Sequence, residues 1–180
     1  LSNSLRGKSY EVSKVVRLKK KDDREKIAIG EINSTTDWSK ALDGVDCIIH
    51  CAGLAHVSNA SNKNKLLSNY DEINALGTLN LAEQAANKGV RRIIFLSSVK
   101  VNGEVTQVDK PFLINDKPIP EDPYAISKFK AEKHLEQIAS KSNLEVVIIR
   151  APLVYGPGVK ANFLRLISAI NKGIPMPLRS

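Results

Sequence analysis

Runs of consecutive apolar residues alternate along the chain with segments in which apolar residues recur every three or four positions. The runs VDCIIHCAG, RRIIFLSS and LEVVIIRAP are typical of strands that are covered on both faces of a sheet. YEVSKVVRL and KIAIG predict two further strands. Strands that alternate with helices in this way predict an α/β fold built on a doubly wound parallel sheet.

The predicted helices have recognisable ends. Leucine and alanine at helical spacing predict a helix from about Asp71 to Lys88. The longest helix, PYAISKFKAEKHLEQIASK, has Pro123 in its first turn and Asp122 as its cap. LSNSLRG predicts the end of a first helix, DWSKALDG one or two helical turns ending at Gly44, and ANFLRLISAINKG a last helix.

The topology predicts where a ligand binds. Ligands of doubly wound sheets lie beyond the carboxyl ends of the strands, so the loops after Cys51, Leu96 and Arg150 are expected to line one cleft. The glycine-rich phosphate loop that usually opens a dinucleotide-binding fold is missing from the sequence. We therefore expect the chain to begin just after that loop.

Charge and composition argue against several classes of function. The formal net charge is +8, but only Lys19, Lys20 and Lys21 are clustered, and aromatic residues make up 5% of the chain. Neither a stacking platform nor a recognition helix is recognisable, which argues against a nucleic-acid partner. No apolar run approaches the roughly 20 residues that span a bilayer, and the pattern of a secretory signal is absent from LSNSLRGKSYEV.

The two cysteines, Cys47 and Cys51, lie in one predicted strand. At four residues apart in a strand their Cα atoms are about 13 Å apart, too far for a disulfide. We expect buried thiols in a cytoplasmic protein and, for lack of partner ligands, no metal site.

Two tyrosines stand four residues before a lysine, and only one pair is predicted to interact. Tyr10 and Lys14 lie in a predicted strand, where four residues span about 13 Å. Tyr124 and Lys128 lie in a predicted helix, where residues four apart are neighbours on one face. The second pair is the candidate for catalysis.

A tyrosine titrates near pH 10, so its use as a base near neutrality requires about 4 kcal/mol. One ammonium about 5 Å away contributes about 3 kcal/mol at an effective dielectric constant of 20. Ser97 and Ser98, at the end of a predicted strand, offer a hydroxyl to complete the arrangement. The alternative is structural: a tyrosine at a helix start and two serines in a turn.

Five segments now point to a family. HCAGLAHV, NALGT, FLSSVKVNG, DPYAISK and RAPLVYGPG occur in an order and spacing that resemble the extended short-chain dehydrogenase/reductases, in the branch of UDP-galactose 4-epimerase. The resemblance implies a Rossmann-like cofactor domain over residues 1–157 and the start of a substrate-binding region over 158–180, with most of that region beyond the chain. It also implies a homodimer through helices, a cytoplasmic location and sugar supply to surface polysaccharides.

The resemblance implies roles for matching residues. Tyr124 would be the acid/base on the sugar 4-hydroxyl, Lys128 would lower its pKa and hold the nicotinamide ribose, and Ser98 would bind the reacting oxygen. Besides Tyr124 and Lys128, the cofactor would lie against Glu31, Ile32, Cys51, Ala52, Gly53, Asn74 and Ser97. The nucleotide-diphosphate sugar would contact Ser98, Val99, Asn162, Phe163 and Leu178.

Departures from the family pattern narrow the activity. Family dehydratases carry Asp-Glu where this chain has Val99 and Lys100, which argues against a dehydratase. Leu153 replaces an asparagine near the sugar phosphate in many epimerases, which puts that contact in question. Arg17 at the end of the first strand leaves NADP open beside NAD, which is the expected cofactor.

Three hypotheses remain. The first is a nucleotide-sugar 4-epimerase, the second a reductase of a nucleotide-linked 4-keto-6-deoxy sugar, and the third a non-catalytic dinucleotide-binding module. Ser98, Tyr124 and Lys128 serve the first two equally and argue against the third. Among the other candidates, a packing role is favoured over sugar contact for His50 and His56, His134 is expected at the surface, and Tyr155 in a structural turn.

Overall fold

The computed structural model describes residues 2–8, 10–18, 26–55, 63–156, 158–159 and 161–174. The helices are α1 Ser2–Arg6, α2 Lys63–Tyr70, α3 Gly77–Asn87, α4 Pro123–Ala139 and α5 Ala161–Asn171. The strands are β1 Lys14–Val16, β2 Lys26–Ala28, β3 Cys47–His50, β4 Arg92–Ser98 and β5 Glu145–Ala151. A π-helical segment, Asp71–Leu76, joins α2 to α3, and a 3-10 turn, Val99–Val101, follows β4.

The strands form two groups. β1 pairs with β2 in parallel, and β3, β4 and β5 form a three-stranded sheet in that order. β3 and β4 are parallel, with Cys47 opposite Arg92 and His50 opposite Phe95. The α/β class with parallel strands, predicted from the alternation of elements, is therefore confirmed.

One face of the three-stranded sheet carries the core. Ile93 and Phe95, which alternate along β4, are fully buried with Ala82 of α3 and Leu135 of α4. Small residues on the two helices allow them to pack closely on the strand, and Ile48, Val146 and Ile148 add to the same cluster. Burial of one face of each helix against β4 explains why apolar residues recur at helical spacing in their sequences.

The opposite face of the sheet is open in this structure, which corrects the expectation of buried thiols. Cys47 and Cys51 are free and exposed. Cys47 lies opposite Arg92, one register position away from the pair Ile48 and Ile93 that enters the core. Because successive side chains point to opposite faces, Cys47 cannot join that core.

One short predicted helical segment is present and one helix differs. The segment around Trp38 makes a helical turn, with the backbone N–H of Leu42 bonded to the carbonyl oxygen of Trp38 at 3.0 Å, and ends at Gly44, whose φ of 64° is left-handed. The helix predicted over 71–88 is interrupted by the π-helical turn at Asp71–Leu76. Apolar spacing does not distinguish a π-turn from an α-turn, because both keep one side buried.

The long helix begins as predicted. Asp122 is its cap, with Oδ1 accepting from the backbone N–H of Ala125 at 2.7 Å, and Pro123 occupies the first turn. The helix therefore starts at a defined residue, which places Tyr124 in its first turn and Lys128 in the next.

The chain divides into two compact units, Leu1–Arg150 and Ala151–Ser180, and each is described by itself. In the second unit, α5 forms where ANFLRLISAINKG predicted a helix. Tyr155, which is exposed, stacks on Phe163 with ring centroids 5.3 Å apart. No helix among the described residues combines the length and hydrophobicity that a membrane crossing requires.

Candidate active site

Lys128 projects from α4 to the carboxyl end of β4. Its ammonium donates to the carbonyl oxygen of Leu96 at 3.0 Å and lies 4.5 Å from the centre of the Phe95 ring. Only 3% of the residue is exposed, and this burial lowers its pKa from 10.5 to about 8. The strand end thus holds a cation that keeps unused hydrogen-bond donors.

Tyr124 is half-buried one helical turn away and interacts with Ser98. The hydroxyl of Ser98 accepts the backbone N–H of Lys100 at 3.3 Å, and its effect on the pKa of the Tyr124 phenol is to lower it. The Tyr124 ring meets the buried Tyr70 edge to face, with centroids 6.3 Å apart. The start of α4 and the end of β4 thus carry Tyr124 and Ser98, the two hydroxyl residues that the sequence analysis proposed for one site.

The electrostatics of Tyr124 differ from the expectation. Burial, followed by the charge of Asp122, raises the pKa of the phenol, and only the hydrogen bond with Ser98 and the charge of Lys100 oppose this. Within the described residues, Lys128 is not among the groups that move this pKa. The Lys128 ammonium is instead directed at the carbonyl oxygen of Leu96, and the lowering of the Tyr124 pKa by Lys128 stays a prediction.

Asn74 ties the loop after β3 to α4. It accepts from the backbone N–H of Leu54 at 2.6 Å and donates to the carbonyl oxygen of Leu54 and the hydroxyl of Ser127, both at 3.0 Å. It is 2% exposed and lies in the π-helical turn, whose irregular backbone is typical of functional sites. The predicted position of Asn74 beside this loop is what the structure shows, while its contact with a cofactor remains a prediction.

The loop after β3 is shaped by the absence of side chains. Cys51, Ala52 and Gly53 are exposed, and a Cβ at Gly53 would lie 3.1 Å from Asn74 Oδ1 and 3.2 Å from Lys128 Nζ. Glycine therefore lets the backbone approach the lysine closely. The exposed backbone of this loop therefore lies beside the buried ammonium of Lys128.

Glu31 and Ile32 follow β2, and their side chains contact different parts of the protein. Glu31 Oε2 pairs with Arg17 Nη1 at 3.0 Å, and both side chains are about two-thirds exposed. Ile32 packs toward Gly77, where a Cβ would come within 2.7 Å of its methyl group. Arg17, considered for a 2′-phosphate, is thus held by the residue expected at the adenine.

Comparison with known proteins decides the family. The profile of the NAD dependent epimerase/dehydratase family matches residues 1–179. The chain belongs to this family. A UDP-glucose 4-epimerase of Vibrio cholerae is 49% identical over 160 residues, 89% of this chain and 48% of that protein.

A less similar relative is named for a different activity, and one solved structure holds NAD. A GDP-6-deoxy-D-mannose reductase of Pseudomonas aeruginosa is 31% identical over 135 residues, 72% of this chain and 43% of that protein. MoeE5, solved with UDP-glucose and NAD, superposes with a TM-score of 0.79 at 27% identity, over 97% of this chain and 57% of that chain. The chain thus spans about half the length of the curated relatives it matches.

The position at which family dehydratases carry Asp-Glu holds an ion-pair network here. Lys100 Nζ lies 2.6 Å from Asp122 Oδ2 and 2.9 Å from Glu104 Oε1. These carboxylates, led by the bond with Asp122, raise the pKa of the lysine above its usual value. Among the side chains of this turn, Val99 and Lys100 present no carboxylate for eliminating water.

Sequence reasoning missed the residues beneath the site. Glu132, four residues after Lys128, is fully buried, accepts from the hydroxyl of Ser97 at 2.5 Å and pairs with Arg150 at 2.7 Å. Arg150 also donates to Asn102 at 3.3 Å. A single arginine in the apolar run VVIIRA was the available signal, since such a charge requires a buried partner.

The remaining candidates are accounted for as follows. His50 is buried, stacked on Phe95 and 3.1 Å from Thr78 Oγ1, and burial lowers its pKa to about 3, so it is a neutral packing residue as favoured. His134 is half-buried, not fully at the surface as expected. His56, Leu178 and the side chain of Asn162 lie outside the described residues.

Replacing Lys128 by methionine should stabilise the fold while removing the cation. The difference between pKa values of 10.5 and about 8 is worth about 3 kcal/mol, and the lost hydrogen bond to Leu96 offsets about 1 kcal/mol. We therefore expect Lys128→Met to raise the free energy of unfolding by about 2 kcal/mol at pH 7, measured by urea denaturation.

The pH dependence gives a second readout of the same variant. Between pH of about 8 and 10.5 the unfolded chain binds a proton at Lys128 that the folded chain does not, so wild-type stability rises with pH in this window. Lys128→Met should lack that rise. Lys133→Met, which removes an exposed lysine of the same helix, is the control; equal pH profiles for all three proteins would contradict the assignment.

Proposed function

We propose that this protein is a nucleotide-sugar 4-epimerase that acts on a UDP-hexose or UDP-N-acetylhexosamine through a transient 4-keto sugar. The observation that carries the proposal is the position of three side chains: Ser98 ends β4, Lys128 reaches that strand end from α4, and Tyr124 lies one helical turn before Lys128. The 49% identity to a UDP-glucose 4-epimerase supports this activity over others in the family.

The cofactor proposed for this site is NAD. It would supply the acceptor and donor of the hydride at sugar C4. The exposed backbone of Cys51, Ala52 and Gly53 is proposed to lie against it, with Asn74 and Ser97 beside it, and Lys128 would hold its ribose. Glu31 and Ile32 are proposed for the adenine end.

The residues of this chain would then move and hold a proton. Tyr124 would exchange it with the 4-hydroxyl of the sugar, and the Ser98 hydroxyl would hold the same oxygen in place. In this structure the raised pKa makes Tyr124 a proton donor, so its use as a base requires positive charge beyond that of the groups now around it. Asn162, Phe163 and Leu178 are proposed to hold the nucleotide diphosphate, and Val99 the sugar.

The second candidate is an NAD(P)H-dependent reductase of a nucleotide-linked 4-keto-6-deoxy sugar. The 31% identity to a GDP-6-deoxy-D-mannose reductase supports it, as does the structural likeness, at a TM-score of 0.60, to the Pseudomonas aeruginosa enzyme RMD complexed with NADPH. The pairing of Arg17 with Glu31 argues against a 2′-phosphate there, since the guanidinium already has a partner.

Product analysis distinguishes the two activities. Incubation of the full-length protein with UDP-glucose, UDP-galactose or their acetamido counterparts should give the same mixture from either 4-epimer, followed by NMR of the sugar. NADH absorbance should show no net change. Stoichiometric consumption of NAD(P)H with a 4-keto-6-deoxy sugar would establish the reductase instead. If the protein catalyses neither reaction, the non-catalytic dinucleotide-binding module is the remaining hypothesis.

The setting of the enzyme is also proposed. A cytoplasmic homodimer that supplies sugars for surface polysaccharide fits the family resemblance. Light scattering on the purified full-length protein would give its mass, and a monomer at micromolar concentration would contradict the dimer.

A further inference from the structure

Lys100 connects the strand end that carries Ser98 to the helix that carries Tyr124. Its backbone N–H donates to the Ser98 hydroxyl at 3.3 Å, while its ammonium bonds Asp122 Oδ2 at 2.6 Å. The other oxygen of Asp122 accepts from Ala125 in the first turn of α4. Lys100 therefore contacts both Ser98 and Asp122, the cap of the helix that carries Tyr124.

The same carboxylate makes Lys100 electrostatically relevant to the phenol. Asp122 lies two residues before Tyr124, and its negative charge favours the protonated phenol, whereas the positive charge of Lys100 favours the phenolate. Removing the ammonium would leave Asp122 uncompensated beside the reacting group. The first turn of the helix would also lose its bond to the strand end.

The ammonium is not available to bind an anionic substrate group. Two carboxylates, from Asp122 and Glu104, already surround it, so the three side chains together carry a net negative charge. The bond to Asp122 is short, and that carboxylate has its pKa held below the usual value by Lys100 and by backbone N–H groups, despite the opposing effect of burial. A positioning role fits these contacts, and a substrate site does not.

We propose that Lys100 is a positioning residue, which holds the Ser98 hydroxyl against the Tyr124 phenol through Asp122 and balances the charge of Asp122 at that phenol. Its effect on turnover rests on the proposed function. Its effect on the titration of Tyr124 does not.

The test is made on the full-length protein with three variants. Lys100→Met removes the charge and keeps most of the length, Lys100→Arg restores the cation, and Lys133→Met removes an exposed lysine of α4 as the matched control. Tyrosine labelled with ¹³C at Cζ reports each phenol by NMR, and the signal missing from Tyr124→Phe assigns Tyr124.

Loss of the ammonium should move the Tyr124 titration to higher pH in Lys100→Met, and Lys100→Arg should bring it back toward wild type. With nucleotide sugar, kcat of Lys100→Met should fall about tenfold while KM stays within about twofold, because positioning acts on the reacting atoms. Lys133→Met should match wild type in both measurements.

Two results would overturn the proposal: a Tyr124 titration in Lys100→Met equal to wild type, or a raised KM with unchanged kcat, which indicates substrate contact. If the full-length protein converts no nucleotide sugar, the proposed function fails, and the phenol titration alone then decides the role of Lys100.

Discussion

Tyr124→Phe should lower kcat of the full-length protein by about 10²–10⁴, the range typical of losing a positioned acid/base. The phenylalanine keeps the ring and its edge contact with Tyr70, so the fold should remain intact. The change removes the hydroxyl whose pKa Ser98 lowers and that would exchange a proton with the sugar. Steady-state assay with UDP-glucose or UDP-galactose measures the loss.

The chain contains a matched control for this substitution. Tyr10 also precedes a lysine by four residues, but it is 62% exposed and lies between α1 and β1, outside both elements. Tyr10→Phe should leave turnover unchanged. Undiminished turnover in Tyr124→Phe, with thermal unfolding like that of wild type, would remove Tyr124 from its proposed role.

Glu132→Ala should lower the free energy of unfolding by about 3–5 kcal/mol, the cost of leaving one partner of a buried ion pair alone. Glu132 is fully buried and accepts from both Ser97 and Arg150, while Arg150 keeps only 24% of its side chain exposed. Removal of the carboxylate therefore leaves a guanidinium and a hydroxyl without their acceptor. Urea denaturation measures the change.

Two comparisons make the result specific. The exposed pair between Arg92 and Glu145 should contribute no more than about 1 kcal/mol, so Glu145→Gln serves as the surface control. The double variant of Glu132 and Arg150, both to methionine, should lose less stability than Glu132→Ala, since no charge is left unpaired. A loss below about 1 kcal/mol in Glu132→Ala would show that Glu132 and Arg150 are not coupled.

Burial explains why the site is costly to maintain. Glu132 and Lys128 lie on the same helix and are almost fully enclosed, and each lies at or under the strand end that carries the serines. Their charges would be cheaper at the surface, and methionine at Lys128 is expected to be more stable. The buried charges of Glu132 and Lys128 therefore lower the stability of the fold, and they hold a cation at the strand end.

Local patterns in the sequence were enough to predict the elements that position the site. The cap at Asp122 and the proline after it define the start of α4, and the spacing of Tyr124 and Lys128 then places them one turn apart. The run of consecutive apolar residues in RIIFLSS predicts β4, which ends at Ser98. These signals are local because capping and strand alternation depend on residues only a few positions apart.

Contacts between segments that are far apart in the chain could not be predicted from the sequence. The direction of Lys128 toward Leu96, the burial that raises the pKa of Tyr124, and the open face beside Cys47 depend on how α4 and β3 pack on β4. In the sequence, Lys100 is notable only because it replaces an acidic residue of the family dehydratases. The structure adds the hydrogen bond between its ammonium and the carboxylate of Asp122.

The sequence by itself determined the α/β class, the start of α4 and the choice of Ser98, Tyr124 and Lys128 as candidates, because helix caps, apolar runs and one-turn spacing are encoded within short segments. Only the tertiary structure decided which charges reach the phenol. That outcome depends on burial and on distances of a few ångströms between residues far apart in the chain, and electrostatic effects change steeply with both.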